Sequence, residues 1–135
     1  MVVSATPFLL VRIRNRNLAK KQVNLQKEFA VAAAKIAAEN HCTDIVVLDL
    51  KGISQATDYF VIATGTSARQ MKTVADEIYH AGLDKGFQRF GRAGYDQGRW
   101  ILLDFIDVVV HIFNKENREY YDLELLWGDA KKVDF

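Results

Sequence analysis

Gly65-Thr66-Ser67 stands between a β-branched apolar run and a helical one, where a chain readily builds an anion site. Backbone N–H groups at a helix start, with the positive end of the helix dipole, suit a phosphate. Neither G-x-x-x-x-G-K-[ST] nor G-x-G-x-x-G is present, however. A turn glycine followed by a Ser67-x-x-Gln70 capping box accounts for every residue of the stretch. Nucleotidyl transfer also starts from a Gly-Ser turn after a strand, but it needs two or three strand-borne carboxylates to hold magnesium. Asp76 and Glu77 fall inside the following helix, and no D-x-D follows the turn at strand spacing. The metal-holding half of that chemistry is missing. A nucleotidyltransferase-type enzyme using Gly65 to Ser67 for phosphates therefore stands as the alternative function.

Asp58, Asp104 and His111 invite a second test. If WILLDF (100–105) and VVVHIF (108–113) form a hairpin about Ile106, Asp104 lies near Asp107 or Val108. His111 then lies across from Ile101 or Trp100, so the two are not a catalytic dyad by position. No serine or cysteine is placed by sequence as a nucleophile. Cys42 is the only cysteine, which rules out an internal disulfide, and it reads as a small buried side chain. His41, His80 and His111 are too scattered to form a zinc cluster with it. No catalytic residue, cofactor or metal is assigned, and the protein is not expected to be an enzyme.

The elements that would position these residues follow from hydrophobic period. Leu25, Phe29, Ala32 and Ile36 recur on one helical face, with Asn24 as cap and an end near Asn40. DIVVLDL (44–50) and DYFVIAT (58–64) read as strands buried on both faces. Ser67 opens a helix to about Lys85, with Met71, Val74, Ile78 and Leu83 on its apolar side and Gly86 as the residue past its end. A short strand is predicted around Phe87 to Phe90, then a mobile loop over Gly91 to Gly98. Two strands follow from Trp100 and Val108, joined at Ile106-Asp107. Asn114 caps a last helix to about Trp127, and Gly128 to Phe135 reads as a polar tail. This order gives a single α/β domain with a mixed four- to five-stranded sheet and flanking helices. Its predicted parts are a flexible basic tail over 1–23, the folded domain over 24–130 and a C-terminal tail over 131–135.

Alternation puts Ile101, Leu103 and Phe105 on one face of their strand, toward the helices. Trp100, Leu102 and Asp104 take the other. Val109, His111 and Phe113 likewise oppose Val108, Val110 and Ile112. A face mixing Trp, Asp and His with aliphatics resembles an interface. At about 100° per residue the last helix puts Tyr120, Leu123 and Trp127 in one stripe and Tyr121 and Leu125 in another, with Leu126 between. One stripe docks on the sheet. The second is either buried as well or a partner site. Aromatic anchors rimmed by acids suit a basic protein and repel RNA phosphates.

Charge is uneven along the 135 residues, although the net is only +1. Met1 to Lys27 carries six bases and no acid, whereas Glu116 to Asp129 carries five acids and one base, Arg118. No apolar run approaches the about 20 residues of a membrane helix, and Ala5 to Ile13 has its bases after it, the wrong order for a secretory signal. The expected location is the cytoplasm rather than an organelle matrix.

Several motifs in fixed order then carry a resemblance over about residues 25 to 130. They are Asp44–Asp49, Asp58–Ser67 with Arg69-Gln70, Trp100–Asp104, Val109–Phe113, and Arg118 with Tyr121–Glu124 and Leu126-Trp127. The chain resembles the ribosomal silencing factor (Iojap) family. That resemblance implies a nucleotidyltransferase-like fold without the transferase metal site. It implies binding to the L-fourteen protein of the large ribosomal subunit, blocking small-subunit joining and repressing translation when nutrients are short. A homodimer is also implied as a partner form, and a homodimeric ribosome-assembly scaffold stands as a further alternative function; no membrane and no sequence-specific nucleic acid is implied. With the face arithmetic it nominates Trp100, Asp104, Tyr121, Leu123, Glu124 and Trp127 as contacts. The chain departs from the family pattern at Phe90, at Ile106 (commonly glycine) and at Leu125 (usually arginine).

Overall fold

The structure, a computed structural model, describes residues 23–135. The basic tail expected over 1–23 lies outside the described residues except for Val23. Helix α1 spans Val23–Glu39, so Asn24 is already within it rather than capping it, and its side chain lies outside the described residues. Strand β1 (Thr43–Asp49), strand β2 (Tyr59–Gly65) and helix α2 (Ala68–Asp84) follow. Then come β3 (Gly91–Ala93), β4 (Trp100–Asp104), β5 (Val108–Asn114), the short helices α3 (Lys115–Tyr121) and α4 (Leu123–Leu126), and β6 (Lys131–Lys132). The six strands form one mixed sheet in the order β3-β4-β5-β2-β1-β6. Only β2 and β5 run parallel.

The predicted α/β class therefore holds, with more strands than expected. The extra one is β6: the stretch read as a polar tail turns back at Ala130, whose N–H donates to Trp127 O, and pairs Lys131 and Lys132 with Asp49 and Leu48. Lysines hide such a strand from a hydrophobic reading, because an edge strand needs backbone groups rather than apolar side chains. The strand expected at Phe87–Phe90 forms instead at Gly91–Ala93, against Leu102–Asp104. Phe87 is committed elsewhere. Its N–H donates to Gly82 O at 2.7 Å while Gly86 N–H donates to Leu83 O at 3.0 Å. That paired closure ends α2, with Gly86 at φ +86° as predicted.

The main core lies between the sheet and helices α1 and α2. Ile101, Leu103 and Phe105 face it as expected, with Val61, Ala63, Val110 and Ile112 beside them. The buried face of α1 is Phe29, Ala30, Ala33, Ala34 and Ala37; Leu25 is exposed, and Ala32 and Ile36 only half-buried. An alanine-rich helix offers two faces of similar apolarity, and the aromatic ring decides between them. Phe29 stacks on Phe87 with centroids 4.7 Å apart and meets Phe105 edge-on at 4.8 Å. Gly82 makes this approach possible, since a Cβ there would sit 2.9 Å from Phe29 Cζ and 3.1 Å from Phe105 Cε1. On α2 the buried side is Met71, Val74, Ala75 and Ile78, and Leu83 is exposed. Gln26 ties α1 to the β4–β5 connection by donating to Asp107 Oδ2 at 2.9 Å.

That connection is tight, as expected, and its residues are unusual ones for so sharp a turn. Ile106 has φ +75°, and Asp107 N–H donates to Phe105 O at 3.0 Å, a three-residue turn in a conformation that β-branched residues rarely adopt. Asp104 Oδ1 accepts from Ile106 N–H at 2.8 Å and holds it. The register that results pairs Asp104 with Val109, Leu102 with His111 and Trp100 with Phe113, which moves His111 off Ile101 and Trp100.

Candidate functional site: the outer sheet face

Alternation and register together define the face opposite α1 and α2. One row across the sheet is Leu48, Phe60, Val109 and Asp104; the next is Val46, Ile62, His111 and Leu102; the third is Thr64, Phe113 and Trp100. A second small core forms here, with Leu48, Leu50, Ile62 and Phe113 buried and Phe60, Trp100, Leu123 and Trp127 half-buried against them. Helices α3 and α4 cover only part of it.

The covering depends on a break the sequence reading missed. The last helix does not run through to Trp127. Asp122 adopts φ +45°, ending α3 through its N–H to Arg118 O and starting α4 in a new direction. Aspartate tolerates the left-handed region better than most residues, and that is the one signal the sequence carried. The break turns Leu123 and Trp127 back onto the sheet, and Trp127 meets the Phe60 ring edge-on at 5.8 Å. The two-stripe count assumed one straight helix. The apolar residues left outward are Tyr120, Leu125 and Leu126, at 72, 77 and 73% exposure.

Four of the six nominated residues come together on this face. Trp100 stacks on Phe113 at 4.8 Å and lies against Tyr121 at 4.6 Å. Leu123 and Trp127 join the same small core, while the Tyr121 side chain is half out in solvent. Asp104 is on the face but four residues along β4 from Trp100, about 13 Å at strand rise, and its carboxylate is occupied by the Ile106 N–H. Glu124 turns away to Arg118, which donates from Nε at 2.9 Å and closes the ion pair from a second nitrogen at 2.8 Å. The third guanidinium nitrogen donates to Thr64 Oγ1 at 2.9 Å. Arg118 thus joins α3, α4 and the end of β2 in one bracket. Beside it a groove of about 530 Å³ is lined by Asp44, Glu119, Asp122 and Glu124 with Arg118 and Lys132.

His111, which alternation put on this face, sits buried beneath its surface. Its Nδ1 accepts from the Trp100 indole N–H at 3.1 Å, which fixes both the Trp100 ring and the histidine tautomer. The proton is therefore on Nε2, which is buried without a hydrogen-bond partner among the described residues. The imidazole meets the Phe60 ring at 4.7 Å. Burial drives its pKa down to about 3, so it is neutral near pH 7.

The other chemical candidates do not assemble. At the Gly65–Ser67 turn, Ser67 Oγ accepts from Gln70 N–H, as the capping box predicts. Gln70 Oε1 reaches back to Thr66 N–H at 2.5 Å, and its amide donates to Asn40 O. The backbone donor that a phosphate would use at Thr66 is thus already engaged. Cys42 is buried, and that burial raises its thiol pKa. Among the described residues no three His, Cys, Asp or Glu side chains stand close enough to hold a metal ion, and no helix is long and apolar enough to cross a membrane.

Comparison with known proteins agrees with this architecture. The family described as "Ribosomal silencing factor during starvation" matches residues 23–135. The "Ribosomal silencing factor RsfS" of Bacillus subtilis (strain 168) is 43% identical over 109 residues, covering 81% of this chain and 92% of that protein. The chloroplastic protein Iojap of Zea mays is 37% identical over 78% of this chain and 46% of its own length. A crystal structure of a Chromobacterium violaceum protein superposes with a TM-score of 0.72 at 33% identity, covering 81% of this chain and 90% of that one.

Proposed function

Because this chain belongs to the ribosomal silencing factor family, we propose that it is a non-enzymatic cytoplasmic protein that docks on the large ribosomal subunit through the outer sheet face. The docking partner is the L-fourteen protein. The bound protein would occupy the surface the small subunit needs, and so would repress translation under nutrient limitation. The observation that supports this is the continuity of the half-buried Trp100, Leu123 and Trp127 with the exposed Tyr121 and the outward Tyr120, Leu125 and Leu126. Exposed acids alternate with these residues along the chain: Glu116, Glu119, Asp122 and Asp129. Aromatic anchors among acids suit a basic protein surface. Glu124 and Asp104 belong to the margin, where each already holds a neighbouring element.

The test is a subunit-joining assay with purified large and small subunits, with and without the protein. The protein should lower the fraction of joined ribosomes. The Leu125→Ser and Leu126→Ser double variant should restore joining and co-sediment poorly with large subunits. A loss of about 2 kcal/mol, or roughly 30-fold in affinity, is the scale for two central apolar contacts. Unchanged joining in the presence of the unmodified protein would refute the reading.

A further inference from the structure

The edge formed by α2 and β3 carries cations that the fold leaves unneutralised. The Arg92 guanidinium lies over the Tyr95 ring at 4.1 Å, and Lys72 Nζ lies 5.7 Å from the same ring. Arg89 lies over Tyr79 at 4.4 Å. The Tyr95 hydroxyl donates to Asp76 Oδ2 at 2.9 Å, which fixes that ring and engages the nearest acid on α2. Arg92 pairs with Leu103 and so takes the helix-facing side of the sheet edge. Gly98 packs so closely on Ala68 that a Cβ would come within 2.5 Å, which sets the backbone next to Arg99 against the start of α2, where Arg69 follows Ala68. Among the described residues, Arg69, Arg92 and Arg99 form no ion pair with a carboxylate.

Helix α2 also begins against its dipole. Arg69 and Lys72 stand in its first turns, where there is no acid, and at its end Asp84 offsets the Lys85 cap. Acids at the start and bases at the end would be more stable. A local arrangement that costs stability without benefit to packing is expected where a partner repays it.

We propose that this α2–β3 edge contacts the phosphate backbone of ribosomal RNA next to the protein on which the outer face docks. The inference rests on the ribosome-docking reading and adds a second surface to it. An arginine held over a tyrosine ring, as Arg92 and Arg89 are, keeps N–H groups that can match phosphate oxygens in pairs. The acids of the outer face repel RNA, so the two surfaces divide the work: protein on the face, phosphate on the edge. Contacts of this kind position the molecule without reading base sequence.

The test compares two variants for equilibrium binding to purified large subunits over a salt series. One is Arg69→Gln, Arg92→Gln, Arg99→Gln, all at exposed positions. The other is Leu125→Ser, Leu126→Ser. The arginine variant should bind about tenfold or more weakly at low salt, and its plot of log affinity against log salt should be shallower by about 2, from about 0.7 for each of three lost phosphate contacts. Its binding to the isolated large-subunit protein should equal that of the unmodified chain. If only the leucine variant loses subunit binding, the RNA contact is refuted and the docking face stands. If the arginine variant weakens with an unchanged salt slope, the edge meets protein and the proposal is again refuted. If neither variant loses binding, both readings fall together.

Discussion

Replacing His111 by asparagine removes a buried titratable group while keeping an acceptor near Nδ1 for the Trp100 indole. In the native protein the imidazole is neutral, with a pKa pushed by burial to about 3 from an ordinary 6.5. In the unfolded chain it takes up a proton as the pH falls through about 6.5. Between those two values the unfolded state holds one more proton than the native state, so stability falls with falling pH by about 1.4 kcal/mol per unit. The contribution of His111 is whole above pH 6.5 and is lost progressively toward pH 3. From pH 7 to pH 4.5 the loss from this residue alone is about 2.7 kcal/mol. His111→Asn leaves a small void and should be the less stable protein at pH 7, by about 1–3 kcal/mol. At pH 4.5 the gap should have narrowed or reversed, because the variant does not carry that loss. Urea unfolding of both proteins at the two pH values measures it, and taking the difference cancels every other titrating group. A gap independent of pH would show that His111 is not held neutral beneath Trp100, and the account of the outer face would fail with it.

Gly82→Ala should destabilise the protein by about 1–3 kcal/mol in urea unfolding, although alanine is the better helix former by about 1 kcal/mol, because the added methyl meets the Phe29 and Phe105 rings. At Ile106, with φ +75°, the Ile106→Gly variant should be more stable than Ile106→Ala by about 1 kcal/mol, the reverse of the usual order; comparing the two cancels the loss of the isoleucine side chain. Arg118→Ala should cost about 1–3 kcal/mol by leaving Thr64 and Glu124 without their donor, and Arg118→Lys should recover only part of it, since one ammonium cannot span α3, α4 and β2; thermal unfolding of the three proteins decides this.

The parts of the fold that were legible in the sequence are those with a strong period or a local signature. The four inner strands, the Ser67 cap with its Gln70 partner, the Gly86 terminus and the inward set Ile101, Leu103 and Phe105 all fall where residue chemistry alone puts them. What was not legible depended on contacts distant in sequence. The rotation of α1 was decided by Phe29 meeting Phe87 and Phe105. β6 was invisible because lysine backbones, not side chains, make it. On the outer face, alternation put Trp100 and His111 on one side of the sheet, but which of Tyr120, Tyr121, Leu125 and Leu126 stay outward, and the hydrogen bond from the Trp100 indole to His111, depend on the register and on the break at Asp122. A single left-handed residue, Asp122, redirected everything after it, and helical-wheel arithmetic cannot anticipate a change of axis.

The two ends of the sheet have a consequence for how the molecule meets others. Its outermost strands are three and two residues long, and they carry Arg92 on one side and Lys131 and Lys132 on the other. The longer apolar strands are all interior, so their hydrogen-bonding groups are spent within the chain. A short, cationic rim gives an incoming strand little to template on and repels a second copy of itself. Growth of the sheet from chain to chain, the first step toward fibres, is thereby blocked at both margins.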